Sequence, residues 1–157
     1  ISVVSAALVL SYAIAPVTAA GLRRNAPDLP RPFRVRAFGI IGPVSFMISA
    51  LIVYWSGWNT LSWLLGLQIV MFVVYVMCKG KVPEHTVSLA QQVKSSLWLI
   101  VFYALIILFS WLGSFGGLNV IGHPWDTELV AAMSLGIYYW GARSCLPQAN
   151  FSGDEEE

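Results

Sequence analysis

Few side chains in this sequence have the type and spacing that catalysis or metal binding requires. His85 and His123 are separated by a long apolar stretch, so they are not expected to share a metal ion or serve one nucleophile. Cys78 and Cys145 stand alone, without the paired spacing of a zinc site. The glycine-rich stretch around Ser114 has its serine in the wrong place for GxSxG and is typical of a flexible loop. The sequence therefore predicts no enzyme, no metal and no cofactor.

The polar side chains of greater interest lie inside an apolar stretch at the start of the chain. Ser5, Ser11 and Tyr12 occur there among alanines, with Pro16 one turn further on. Two interpretations remain open at this point. Small residues allow helix backbones to approach closely in lipid, so they serve packing. Alternatively, Ser5, Ser11 and Tyr12 are candidates for lining a polar pathway.

The elements that position these residues are predicted to be membrane helices. The chain has 157 residues, of which 57% are hydrophobic and 11% charged, and its mean hydropathy is +0.71. No Asp, Glu, Lys or Arg occurs between Arg36 and Lys79, or between Lys94 and Asp126. About 20 apolar residues cross the hydrocarbon core as a helix, so these gaps hold two spans and one span. A nucleic-acid partner is excluded, because the basic residues are few and confined to loop ends.

The predicted fold class is all-α, a polytopic transmembrane bundle of about five spans. The spans are predicted at about residues 1–20, 38–56, 60–78, 96–112 and 128–142. Loops of residues 22–36 and 79–95 and a tail of residues 143–157 then share one side of the membrane. The first span is unusually rich in small residues, so we expect it to pack in the interior and the later spans to surround it.

Basic residues predict the orientation. With five crossings, all nine Lys and Arg residues lie on one side, which the positive-inside rule makes cytoplasmic. The residues of the first loop that set this topology are Arg23, Arg24, Asp28, Arg31, Arg34 and Arg36. The predicted location is therefore the cell membrane (the bacterial inner or plasma membrane), multi-pass, with the C-terminus cytoplasmic and with lipids as partners.

The two ends of the sequence suggest a piece of a longer protein. Ile1 stands inside an apolar run, without a basic segment or a cleavage site before it. The acidic residues Asp154 to Glu157 are typical of a natural C-terminus. We therefore expect further membrane spans upstream, which would be packing partners of this segment.

The segment SYAIAPVTAAGLRRNAPDLPRPFR, residues 11–34, resembles a known family. It is similar to the end of the tenth span and the following cytoplasmic loop of bacterial amino-acid permeases of the amino acid–polyamine–organocation (APC) superfamily. The resemblance covers about a sixth of the chain directly. The stretches SLAQQVKSS and GSFGG also look familiar from such permeases.

The resemblance implies the C-terminal fragment of a LeuT-like inverted-repeat transporter, with the last two spans as an extension beyond the usual twelve. It implies secondary active transport of amino acids, proton-coupled symport or exchange by alternating access, with the main substrate site outside this fragment. The alternative is a small structural or interaction membrane subunit without transport activity of its own.

Overall fold

A computed structural model describes residues 2–27, 35–78 and 89–145 of the chain. The predictions for Asp28, Arg31 and Arg34, for most of the second loop and for most of the tail lie outside these residues. The described residues form five α-helices and no strand. These are α1 (Ser2–Asn25), α2 (Phe38–Trp55), α3 (Gly57–Cys78), α4 (Leu89–Leu112) and α5 (Trp125–Ser144).

Three of these helices are long and apolar enough to cross a membrane, namely residues 3–25, 38–55 and 94–112. The all-α prediction is confirmed, and the chain is a helical membrane protein. The helix bounds differ from those of the predicted spans mainly at the ends, and the predicted number of five spans stays a prediction. Helix α1 continues to Asn25, into the segment predicted as the first loop. Helix α4 begins at Leu89, before the predicted span.

Helix α2 lies at the centre of the described bundle. Its side chains Phe46, Ala50, Val53 and Tyr54 have no exposed surface. The Phe46 ring packs against Phe102 of α4, with 5.0 Å between ring centroids, and against Tyr138 of α5, at 6.0 Å. Such aromatic pairs stabilise a core beyond the area that they bury.

The expectation that the first span packs in the interior and the later spans surround it stays a prediction for the whole protein; among the described helices, α2 rather than α1 is central. Helix α1 is buried along one side only, where Ala6, Leu10, Ala13 and Val17 are at most 4% exposed. Those residues recur every three or four positions and so form a single face of the helix. Helices α2, α3, α4 and α5 supply the rest of the core.

Close approaches show which helix ends meet. The thiol of Cys145 sits against Gly21, and the phenol oxygen of Tyr138 sits against Gly42, so neither glycine leaves room for a Cβ. Gly141 likewise faces Trp98 of α4 and Val17 of α1. The end of α1, the start of α2, the start of α4 and the end of α5 therefore share one end of the bundle.

The other end is formed by the turn between α2 and α3 and by residues 113–124. Gly57 has a φ of +84°, a left-handed conformation that glycine adopts without steric cost. The amide of Trp58 then donates to the carbonyl of Phe115 at 3.0 Å. Further along α3, the described side chains from Gly66 onward are exposed.

Candidate functional site

The candidate pathway residues Ser5, Ser11 and Tyr12 all lie on the exposed side of α1, opposite the packed face. Tyr12 is 70% exposed, and both serines are exposed. Ser5 and Tyr12 are seven residues apart and share one edge of this side. Ser11 lies about 100° further round the helix, because each residue of an α-helix turns by that angle. The structure places the three on one surface without bringing their side chains together.

Two side-chain hydroxyls of α1 donate hydrogen bonds to backbone carbonyls of the same helix. The Ser11 hydroxyl donates to the carbonyl of Ala7 at 3.0 Å, and the Thr18 hydroxyl donates to the carbonyl of Ile14 at 3.1 Å. Pro16 has no amide hydrogen, so the carbonyl of Tyr12 lacks the donor that the residue four positions later usually supplies in a helix. The Tyr12 carbonyl and phenol are therefore the polar groups of α1 best placed to meet a ligand or another helix.

Arginines occupy the end of the bundle where α1 finishes and α2 begins. The Arg23 guanidinium lies 3.9 Å from the centroid of the Phe38 ring, a cation–π contact that joins α1 to α2. Arg24 and Arg36 are exposed. The Asn25 amide donates to the carbonyl of Cys145 at 3.1 Å and ties α1 to α5. Arg23, Arg24 and Arg36 thus surround one end of the bundle.

A buried carboxylate at the opposite end was not among the candidate residues. Asp126, in the first turn of α5, has no exposed surface. Its Oδ2 accepts from the hydroxyl of Tyr54 at 2.7 Å and from the hydroxyl of Ser114 at 2.5 Å. The Ser114 amide also donates to Oδ2, at 3.3 Å. Its Oδ1 accepts from the amide of Thr127 at 2.6 Å. We call Tyr54, Ser114, Asp126 and Thr127 the Asp126 cluster.

These hydrogen bonds determine the charge of the cluster. Burial opposes ionisation of the Asp126 carboxyl, but the donors on Ser114, Tyr54 and Thr127 outweigh burial and hold its pKa well below the usual range. A carboxylate has about four acceptor sites, and the Thr127 hydroxyl adds a further bond at 3.2 Å. The carboxylate is therefore saturated, and it is suited to holding elements together rather than to carrying a proton or a metal.

Residues 113–117 belong to the loop between α4 and α5, as predicted, and hydrogen bonds connect this loop to α4 and α5. The carbonyls at the end of α4 accept from this segment and the residues after it: Trp111 from the amide of Leu118 at 2.7 Å, and Leu112 from that of Val120 at 2.9 Å. With Ser114 bound to Asp126, the segment is anchored at both ends. The sequence did contain a signal for the Asp126 site. Asp126 follows Pro124 closely and lies in the first turn of α5, where carboxylates are favoured.

Comparison with known proteins gives two similar chains, both from Bacillus subtilis (strain 168). The chain is 54% identical over 156 residues to an aspartate-proton symporter, covering 99% of this chain and 30% of the symporter. It is 32% identical over 144 residues to the glutamate/serine transporter AimA, covering 90% of this chain and 26% of that protein. No family model matches the chain, and no solved structure does.

The chain thus spans less than a third of either relative. Fold and similarity together define a helical membrane segment that is related to amino-acid transporters. The comparisons support the class of protein that the sequence predicted, amino-acid transporters. Membership of the APC superfamily stays a prediction. The roles of Ser5, Ser11 and Tyr12 stay predictions.

Proposed function

We propose that the chain is the C-terminal part of a secondary transporter that moves an amino acid together with a proton across the cell membrane. The observation that supports this proposal is the 54% identity to an aspartate-proton symporter over 99% of the chain. An acidic amino acid is then the substrate to test first. Membership of the APC superfamily, with a LeuT-like inverted repeat and alternating access, belongs to the same proposal.

In this proposal the exposed side of α1 faces the upstream helices of the full transporter. Helices α2, α3 and α5 contact α1, and the side with Ser5, Ser11 and Tyr12 is exposed and so open to the upstream helices. Polar groups in a membrane helix are costly in contact with lipid, which favours a neighbouring helix or a water-filled pathway there. Tyr12, with its exposed phenol, would contact the substrate pathway.

The proton would be carried by a group outside the described residues. Asp126 is the one carboxylate that is buried among them, and its low pKa keeps it ionised. Proton carriers need a pKa that brings protonation within the working pH range. We therefore assign Asp126 to structural support and the coupling group to the upstream part of the transporter.

The direct test is uptake of radiolabelled aspartate by proteoliposomes that contain the full transporter, with and without an inward proton gradient. Uptake should depend on the gradient. Ser11→Leu and Tyr12→Ala should each lower it about tenfold, equivalent to about 1.4 kcal/mol.

The matched control is Leu129→Ala, at an exposed position of α5, and it should leave uptake nearly unchanged. Comparisons are made at equal membrane abundance. Equal uptake by all three variants would contradict the role of α1. Absence of aspartate and glutamate transport in the wild type would contradict the proposed function and favour a structural subunit.

A further inference from the structure

The end of the bundle that carries the basic side chains has no acidic side chain among the described residues. The described basic residues all lie near this end: Arg23, Arg24, Arg36, Lys94 and Arg143. The described acids, Asp126 and Glu128, both lie in the first turn of α5 at the opposite end. Among the described residues, no Lys or Arg side chain lies within ion-pairing distance of a carboxylate.

The chain leaves the bundle in the middle of this basic surface. Helix α5 ends at Ser144, and the next residue, Cys145, is fixed to α1 through its carbonyl, which accepts from Asn25. Arg24 directly precedes Asn25, and Arg143 lies two residues before Cys145. The segment that begins at Leu146 therefore starts beside Arg24 and Arg143.

That segment, residues 146–157, lies outside the described residues and carries the opposite charge. Its acids are Asp154, Glu155, Glu156 and Glu157, and it has no Lys or Arg. The stretch from Leu146 to Asp154 can extend to about 30 Å, at about 3.3–3.6 Å per residue. Packed helices are about 8–10 Å apart, so residues 154–157 can reach every basic residue of this end.

From this arrangement we infer that residues 154–157 dock on the basic surface formed by Arg23, Arg24, Arg36, Lys94 and Arg143. Attachment through a short segment gives an effective concentration of the order of millimolar, which strengthens an otherwise weak exposed pairing. Anionic lipid headgroups have the same chemistry, but they lack this attachment and this fixed starting point. The tail then covers the basic surface until lipid or salt displaces it. The inference depends on neither the transport activity nor the orientation in the membrane.

A distance measurement between two spin labels tests the docking. Labels are placed at Gly39→Cys, where no atom lies within 4 Å of an added Cβ, and at Ser152→Cys, with Cys78 and Cys145 replaced by alanine. In zwitterionic bilayers at about 0.01 M salt, short distances should dominate. Raising the salt to about 1 M shortens the Debye length from about 30 to about 3 Å and should reduce that population at least about threefold.

Charge variants identify the partner surface. Replacing Asp154 by Asn and Glu155, Glu156 and Glu157 by Gln should abolish the short distances. Glu128→Gln, an acid at the opposite end, is the matched control and should not change them. Changing the four tail acids to Lys should abolish the short distances too, and combining that change with Arg24→Glu, Arg36→Glu and Arg143→Glu should restore them.

Adding phosphatidylglycerol distinguishes docking of the tail from binding of anionic lipid to the same basic surface. If the tail docks, neutralising its acids should increase the binding of this lipid to the chain. Long, salt-independent distances in zwitterionic bilayers, with equal lipid binding by the wild type and the neutralised variant, would show a lipid surface alone and overturn the inference.

Discussion

At Asp126, one carboxylate connects three parts of the chain. Tyr54 donates to it from the end of α2, Ser114 from the segment after α4, and Thr127 from α5 itself. Hydrogen bonds to a buried charge contribute more than neutral ones, and removing the acceptor leaves the buried donors unsatisfied. At the scale of single residues, the Asp126 cluster is therefore the polar contact expected to matter most for stability.

We expect Asp126→Ala to lower the free energy of unfolding by about 3 kcal/mol, because it strands the hydroxyls of Tyr54 and Ser114. Tyr54→Phe should cost about 1–2 kcal/mol, since it removes one donor. Denaturant unfolding in detergent micelles measures both changes. Glu128→Ala, an exposed neighbour, should change the stability by less than about 0.5 kcal/mol. Equal effects of Asp126→Ala and Glu128→Ala would contradict the assignment.

The same carboxylate predicts how stability depends on pH. The folded pKa of Asp126 lies below its unfolded value of about 3.9. Its contribution is therefore complete above about pH 4 and declines as the pH falls below that value towards the folded pKa. Thermal unfolding from pH 7 to pH 3 should show a steeper acid loss in the wild type than in Asp126→Asn. Parallel profiles would mean that Asp126 does not carry the effect.

At the scale of elements, glycines determine how closely the helices approach. Gly42 and Gly39 are three residues apart on α2, yet they differ in surroundings. The Tyr138 phenol fills the space above Gly42, whereas nothing lies within 4 Å of a Cβ at Gly39. Gly42 therefore permits the contact between α2 and α5, and Gly39 is free of such a constraint.

Gly42→Ala should destabilise the bundle by about 1–3 kcal/mol, because the added methyl group displaces Tyr138. Gly39→Ala should be neutral or stabilising by up to about 1 kcal/mol, since alanine favours the helix. Thermal unfolding of the two variants, read by circular dichroism, gives the comparison. If Gly39→Ala proved the more harmful, the packing of α2 on α5 would be incorrectly described.

At the scale of the whole molecule, the bundle has two chemically different ends. One end carries Arg23, Arg24 and Arg36, and the other carries Asp126 and Glu128. The contacts of Cys145 with Gly21 and Asn25 place the end of α5 beside the end of α1. The placement of the arginines at one end is the pattern from which membrane orientation is predicted.

Cysteine labelling checks that orientation. With Cys78 and Cys145 replaced by alanine, Gly122→Cys should react with an impermeant maleimide in intact cells. Pro27→Cys should react only after permeabilisation, because it follows the arginines of α1. Both positions are exposed, so the difference reports the side of the membrane. The reverse pattern would invert the topology, and labelling of both from outside would contradict the separation of the two ends.

The sequence by itself determined the class of structure. Charge-free stretches of membrane-spanning length predict apolar helices, and the clustering of Lys and Arg predicts that they share one end. The structure agrees on both points for the described residues. Hydropathy is sufficient here because the cost of placing a charge in hydrocarbon is large and independent of the fold.

Only the tertiary structure decided which helix sides are packed and which polar groups meet. In lipid, packed and lipid-facing sides are both apolar, so hydropathy does not distinguish them. Thus hydropathy did not show that α2 is central among the described helices, or that the side of α1 with Tyr12 is open there. The contact of Tyr54 with Asp126 joins residues 72 positions apart, and no local pattern encodes a pairing over that separation.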